Sequence, residues 1–262
     1  MHYLYFYRVI DVIIIGTGNV SFHFSKVISN RNGLRLIGIY GRGRNIPDYF
    51  NKNISYSNDL KKIKYADIYL ICVSDDAIGI VSDQLNVSEK SIVVHSSGSI
   101  NISYLSKHKK HGVLYPLQTF SYNREVDFSS IPIIIEANTN LVLDKIKEIS
   151  NLISNEIIEC DSQKRLSVHI SAVFANNFSN HMNVIAEEIL KINNIDSDIL
   201  IPLIHETSKK IQFLKSKEAQ TGPAIRNDQI TIKKHLNLLK QTKYFDIYKT
   251  LTEEIIKSKN EL

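Results

Sequence analysis

The stretch Val12-Ile13-Ile14-Ile15-Gly16-Thr17-Gly18-Asn19-Val20-Ser21 constrains the fold of this chain more than any other. Four apolar β-branched residues in a row read as a strand buried on both faces, and such strands belong to parallel sheets covered by helices. Two closely spaced glycines then end it. Gly16 permits a tight turn, Gly18 lets another group approach the backbone, and Asn19–Ile28 continues with helical periodicity. A helix that opens straight out of such a turn offers free N–H groups and the positive end of its dipole, which suits a pyrophosphate. The third position of the dinucleotide fingerprint is Ser21 instead of glycine, which asks only for slightly looser packing of helix on strand. Gly16, Thr17, Gly18, Asn19 and Val20 are therefore the expected contacts of a dinucleotide.

Glycine placement divides the 262 residues: nine of the ten glycines lie between Gly16 and Gly112, and the tenth is Gly222. Glycine-rich turns suit an α/β half, and the glycine-poor remainder suits long helices. In the first half, strands are expected at Val9–Ile15, Leu34–Tyr40, Ile54–Tyr56, Asp67–Val73, Ser91–His95, Gly112–Tyr115, Ile131–Glu136 and Glu156–Cys160. Helices are expected near Asp76–Leu85 and Asn140–Ile153, with another that Ser57 would cap. Alternating elements of this kind point to a Rossmann-type doubly wound parallel sheet. From Asp161 the pattern turns helical. Gln163–Ile192 reads as one long helix, apolar on most faces and hence buried and central, followed by helices near Ser197–Leu214, Asp228–Leu239 and Tyr244–Lys257. The fold class is thus α/β followed by an all-α domain, with residues 1–160 as the dinucleotide-binding part and 161–262 as the substrate and dimerisation part.

The end of the second strand selects the cofactor. An NAD site places an acid there, roughly 20 residues after the turn, to accept from the ribose hydroxyl. Here the sequence is Ile39-Tyr40-Gly41-Arg42-Gly43-Arg44, with no acid before Asp48. Arg42 is suited to pair with a 2′-phosphate, Arg44 reads as a solvated neighbour, and NADP(H) is the expected cofactor. After the fourth strand, Val73 and Ser74 should border the nicotinamide half, and Asp76 is expected to cap a helix and not to catalyse.

The net charge of +5 raises the question of a nucleic-acid partner. The lysines are scattered beside acids or apolar residues, and no basic arm with interleaved aromatics occurs, so none is expected. Cys72 and Cys160 lie in apolar runs and read as small buried hydrophobes in a reducing cytoplasm. The opening Met1–Tyr7 is too short and too aromatic for a signal segment, and no stretch is long enough to span a membrane. No grouping of His, Cys and carboxylates has metal-ligand spacing, so no metal is expected.

Four segments carry a resemblance: His95-Ser96-Ser97-Gly98, Tyr115-Pro116-Leu117-Gln118-Thr119-Phe120, Phe174-Ala175-Asn176-Asn177-Phe178-Ser179-Asn180-His181, and Ala219-Gln220-Thr221-Gly222-Pro223-Ala224-Ile225-Arg226-Asn227-Asp228. In this order they resemble the Rossmann-like oxidoreductases with a helical C-terminal domain of unknown function. That family is similar to pyrroline-5-carboxylate reductases and, more distantly, to 6-phosphogluconate and β-hydroxyacid dehydrogenases. The resemblance implies NADP binding in the first domain, a small-molecule substrate between the domains, and a homodimer joined through the C-terminal helices. Two departures stand out. Tyr115 occupies a position where the family pattern has His. The dehydrogenases' Lys, one helical turn before an Asn, is replaced by Val173 and Phe174 ahead of Asn176 and Asn177, so their acid is missing and their mechanism is not expected.

His169 and Asn176 are two helical turns apart on one face, and Asn180 continues it. His169 is a candidate to donate a proton to a carbonyl or imine; the alternative is a hydrogen-bonded His packed against the first domain. Asn177 and His181 form a neighbouring stripe. Ser97 and Gly98 would hold a substrate carbonyl or carboxylate, or form a plain strand-to-helix turn. Gln118 and Thr119 join them as substrate contacts. Gln220, Thr221 and Arg226 lie in a Gly-Pro loop that lines a pocket or a dimer contact. Two functions follow: an NADP-dependent reductase of a small carbonyl or imine compound, or an NADP-binding sensor or assembly protein without turnover.

Overall fold

The computed structural model describes residues 8–260, with the side chain of Asn260 left out. Met1–Tyr7, read above as the lead-in to the first strand, lies outside the described residues. Eight strands form one sheet: β1 (Ile10–Ile15), β2 (Leu34–Tyr40), β3 (Tyr56–Ser57), β4 (Ile68–Ile71), β5 (Ile92–His95), β6 (His111–Pro116), β7 (Ile133–Ala137) and β8 (Ile157–Glu159). Their order is β3-β2-β1-β4-β5-β6-β7-β8. Strands β1 to β6 are parallel, with β1 paired to both β2 and β4. The chain thus reverses direction across the sheet between β1 and β4, and the crevice beyond the strand C-termini at that point is where ligands of such sheets bind.

The sheet is not parallel throughout. β7 runs antiparallel to β6, and β8 is parallel to β7. A parallel neighbour needs a crossover that carries the chain back to the other end of the sheet. Residues 117–132 supply only a loop and the short turn Phe128–Ser130, so β7 starts at the end where β6 stops.

Alternate residues of β1 enter different cores, as a strand buried on both faces requires. Val12 and Ile14 pack with Phe24 and Ile28 of α1 (Asn19–Ser29) and with Val142, Ile146 and Ile149 of the helix Asn140–Ile153. Ile13 and Ile15 pack with Tyr69, Ile71 and Leu105, and with Ile78 of α2 (Ile78–Gln84). Burying each such side chain stabilises the fold by about 1.5–3 kcal/mol. The helix Asn140–Ile153, here α3, is capped by Thr139, whose hydroxyl accepts from the Val142 amide at 3.3 Å. The helix expected after Ser57 is instead one 3-10 turn at Leu60–Lys62, capped by Asp59.

The chain forms two compact units, one ending at Asn177 and one starting at Phe178. Helical backbone runs from Ser162 to Ile192 as α4 (Ser162–Ala172), a π-form segment at Val173–Phe178 and α5 (Ser179–Ile192). The expected long helix exists, but it is not buried: Leu166, Ile170, Phe174 and Phe178 are 40%, 50%, 65% and 50% exposed. Apolar content on most faces signals the need for cover, and a single chain does not provide it here. The second unit continues with α6 (Ile201–Phe213), α7 (Ser216–Ala219), α8 (Gln229–Leu239) and α9 (Phe245–Asn260). Glu188 of α5 joins Tyr244 and, at 3.1 Å, Lys243. Asp228 caps α8 by accepting from the Thr231 amide. Among the described residues no helix is long and apolar enough to cross a membrane.

Candidate functional site

A cavity of about 1830 Å³ opens at the C-terminal ends of β1, β2, β4, β5 and β6, and every residue lining it belongs to the first unit. That exceeds the roughly 300–1,000 Å³ of an ordinary small-molecule site, so it has room for an extended ligand and a second molecule.

Gly16 adopts φ +127, and its amide donates to the Tyr40 carbonyl at 2.7 Å. A Cβ there would stand 2.0 Å from the Cys72 carbonyl oxygen, so the turn is pressed against the end of β4. Ser21 is fully buried and donates its hydroxyl to that same carbonyl at 3.1 Å. The departure from glycine at this position thus adds a hydrogen bond between helix and sheet. Gly18 is different: a Cβ there would meet nothing within 4 Å. Helix α1 starts beside it with no side-chain cap and no acid in its first turn. An uncapped helix start facing open space is where an anion's charge and oxygens are best received, so the residues present fit a pyrophosphate. The Tyr49 hydroxyl donates to the Thr17 carbonyl at 2.6 Å, and the Asn19 amide group donates to the Phe120 carbonyl at 3.0 Å.

Arg42 lines the same cavity, is exposed, and makes no ion pair among the described residues. Its neighbour Gly41 lies so close to the glycine turn that a Cβ would fall 2.7 Å from Thr17 Cγ2. Arg44 is exposed and does not line the cavity. Asp59 and Lys61, which sequence reasoning passed over, also line this end. The Asp59 carboxylate is engaged in its own turn, accepting from the Lys61 amide at 3.0 Å.

At the other end stand Val73, Ser74, Asp75, Ser97, Gly98, Tyr115, Gln118, Thr119, His169 and Asn176. Ser74 precedes the turn Asp75–Ala77, so Asp76 lies inside that turn and does not cap it. The residue that faces the cavity is its neighbour Asp75, which accepts a hydrogen bond from the Ser99 hydroxyl. Two adjacent acids straight after a buried strand were the available signal for it. The Ser97 hydroxyl oxygen accepts from the Ser99 and Ile100 amides, each at 3.1 Å, and the Ser97 amide donates to His95 Nδ1 at 3.1 Å. These bonds shape the loop and use much of the polar capacity expected to meet a substrate. Gln118 and Thr119 are exposed on the cavity wall.

Tyr115 and His169 are 54 residues apart in sequence, yet the Tyr115 hydroxyl and His169 Nδ1 lie 3.2 Å apart. Gly98 completes the group, for a Cβ there would come within 2.7 Å of both His169 Nδ1 and Tyr115 Cζ. Burial, reinforced by Asp75, raises the Tyr115 hydroxyl above the usual phenol range, so it holds its proton.

A buried cation sets the height of His169. Arg165, one helical turn earlier, is 0% exposed. Its guanidinium pairs with Glu136 at the end of β7, and it donates to the Ile100 carbonyl and, at 3.2 Å, to the Ser162 hydroxyl. Ser162 in turn holds Glu136 through its amide at 3.0 Å and accepts from the Ile102 amide at 3.1 Å. This cluster fastens the start of α4 to the sheet and to the Ser97–Ile102 loop. Asn176 and Asn177 line the cavity from the π-form segment, which changes the helical phase between His169 and Asn176 without removing either from the wall. Such segments are frequent at functional sites.

Asn180, Thr221 and Arg226 belong to the second unit. Asn180 is exposed in the first turn of α5, the Thr221 carbonyl accepts from the Gln220 amide group at 3.0 Å, and Arg226 is exposed; hydrogen bonds from the Thr231 amide and hydroxyl first, and Arg226 after them, hold the Asp228 carboxyl below its ordinary range. Among the described residues no three His, Cys, Asp or Glu side chains are grouped to hold a metal ion.

The strand order, the glycine turn and the helices that follow define a Rossmann-like protein with a helical C-terminal region. Its structure is similar to that of a provisionally assigned NADP oxidoreductase from Bacteroides fragilis, at 35% identity and a TM-score of 0.88, over 95% of this chain and 98% of that one. Residues 131–255 match the model of a domain of unknown function (DUF2520). The chain belongs to the family of the Bacteroides protein, the Rossmann-like NADP oxidoreductase-type proteins with a helical C-terminal region. More distant likenesses concern the fold alone. They include an Aspergillus terreus reductive aminase in complex with NADPH and ethyl levulinate, with 10% identity, a TM-score of 0.69, and 95% of this chain covered against 94% of that one. Plasmodium falciparum pyrroline carboxylate reductase with NADP bound has 14% identity, a TM-score of 0.60, and 95% against 97% coverage. A search of curated proteins gives no match.

Proposed function

We infer that this protein is an NADP-dependent oxidoreductase acting on a small carbonyl or imine compound. The observation that carries the reading is one cavity with two chemically different ends. At one end lie the uncapped α1 start and Arg42; at the other lie Tyr115, His169 and Asn176. The first end receives anionic oxygens and the second offers hydrogen-bond donors to a reacting carbonyl or imine. Bound NADPH would supply hydride to the substrate carbon. The chain's own part is then to hold the pyrophosphate on Gly16–Val20, to pair Arg42 with the 2′-phosphate, and to place the nicotinamide by Val73 and Ser74. His169, Asn176, Ser97, Gly98, Gln118 and Thr119 are proposed to meet the substrate.

The apolar side chains left exposed on the second unit, among them Leu203 at 64% and Phe213 at 84%, support pairing of two copies through the C-terminal helices. The cofactor assignment is tested by NADPH and NADH titrations followed by nucleotide fluorescence. Arg42→Ala should weaken NADPH binding at least tenfold and NADH binding less than threefold, an effect of about 1.4 kcal/mol or more on the phosphate contact alone. An unchanged NADPH/NADH ratio would falsify the assignment.

A further inference from the structure

The cavity end that offers protons contains two candidates, and their arrangement distinguishes them. Tyr115 lies one residue before the end of β6 and pairs with Ile134 of β7, so its backbone is held by the sheet. His169 rides on α4, whose start is fastened by the buried Arg165–Glu136 pair. The hydroxyl and Nδ1 meet at 3.2 Å, and a Cβ at Gly98 would collide with both rings.

We propose that the Tyr115 hydroxyl is the catalytic proton donor to the substrate's carbonyl oxygen or imine nitrogen, with His169 beside it as the group that orients and reloads it. The proposal rests on the oxidoreductase reading above and deepens it by assigning the transferred proton to one residue of the donor end. When the substrate carbon is reduced by hydride from NADPH, the electron pair of the C=O or C=N bond moves to the heteroatom. The new O–H or N–H bond forms to the Tyr115 proton as the Tyr115 O–H bond breaks. The proton on His169 Nδ1 then passes to the phenolate as Nε2 takes up a proton from water. The charged groups bearing on Tyr115 are Asp75 and Arg165, which act in opposite directions on its phenol. Its burial keeps the hydroxyl protonated until the substrate's developing negative charge draws the proton away.

The test has two arms, with thermal unfolding as the control that each variant folds. In cofactor-free protein, the His169 ring is followed by 15N and 1H NMR. Tyr115→Phe should displace the Nδ1 resonance while ring signals of the other histidines stay in place, because this ring alone loses a hydrogen-bond partner. Unmoved His169 resonances show that the pair does not exist in solution and overturn the proposal. In the second arm, imines, keto acids and aldehydes are offered with NADPH. Tyr115→Phe should lower kcat at least 100-fold with NADPH affinity within twofold. His169→Gln should lower it less and displace the pH profile, and Tyr115→His should recover part of the activity. Turnover that survives in Tyr115→Phe but is abolished in His169→Gln makes His169 the direct donor and overturns the proposal alone. Silence of the parent protein towards every compound, despite NADPH binding, overturns the oxidoreductase reading and the proposal with it.

Discussion

Replacing His95 by Asn should make this protein less sensitive to acid. His95 ends β5 with 0% exposure; Nδ1 accepts the Ser97 amide at 3.1 Å, and Nε2 has no hydrogen-bond partner among the described residues. Burial first, and the nearby Arg165 second, push its pKa down to about 3, with Asp75 opposing. In the unfolded chain the ring titrates near 6.5. Below that pH the unfolded chain takes up a proton that the folded protein refuses. Stability from this group is therefore full above pH 6.5 and is lost progressively as pH falls towards 3. Within that window one proton is worth about 1.4 kcal/mol per pH unit, so going from pH 7 to pH 5 costs about 2 kcal/mol. Asn retains an acceptor for the Ser97 amide and cannot titrate. Urea unfolding of both proteins at pH 7, 6 and 5 gives two stability curves. Any constant loss from the smaller side chain cancels in their difference, and carboxylates elsewhere act on both alike. The curves should converge by about 2 kcal/mol as pH falls. If they stay parallel within about 0.5 kcal/mol, the ring is not held neutral by burial and the reasoning fails.

Three further predictions concern the residues that shape the cavity. Arg165→Met strands the Glu136 carboxylate and should cost about 3–5 kcal/mol in urea unfolding, whereas Arg165→Met with Glu136→Leu should recover most of the loss; equal losses would show the pair is not the source. Gly16→Ala, at φ +127 and 2.0 Å from the Cys72 carbonyl, should destabilise the fold by more than about 2 kcal/mol. Gly18→Ala meets nothing within 4 Å and should unfold within about 0.5 kcal/mol of the parent while binding NADPH at least tenfold more weakly; normal NADPH affinity would remove the pyrophosphate from this turn.

Much of the first unit is readable from local sequence. β2 spans Leu34–Tyr40 as expected, α1 starts at Asn19 directly after the glycine turn, and α3 covers the expected Asn140–Ile153. These succeed because their signals, an apolar run, a glycine pair and a Thr cap, act over a few residues. Asp76 misleads because two adjacent acids offer the same capping signal, and which one faces the cavity depends on the backbone after β4. The direction of β7 depends on whether residues 117–132 cross the sheet, and nothing in their composition states it. The exposed face of Leu166 and Ile170 likewise follows from what the rest of the chain leaves uncovered, not from their own hydrophobicity.

Gly16-Thr17-Gly18, Arg42 and the lack of an acid after β2 are determined by the sequence alone, because each acts through backbone conformation or charge within one turn. Tyr115, His169 and Gly98 become a group only in the tertiary structure. Sheet pairing brings the ends of β5 and β6 together, and the buried Arg165–Glu136 contact brings α4 to them. Arg165 looks like any surface arginine in the sequence, and only the closed fold strips it of water and binds it to Glu136. Cys72 shows the same division: its apolar neighbours foretell burial, but the contact of its carbonyl with Ser21, across 51 residues, arises only when α1 lies on the sheet.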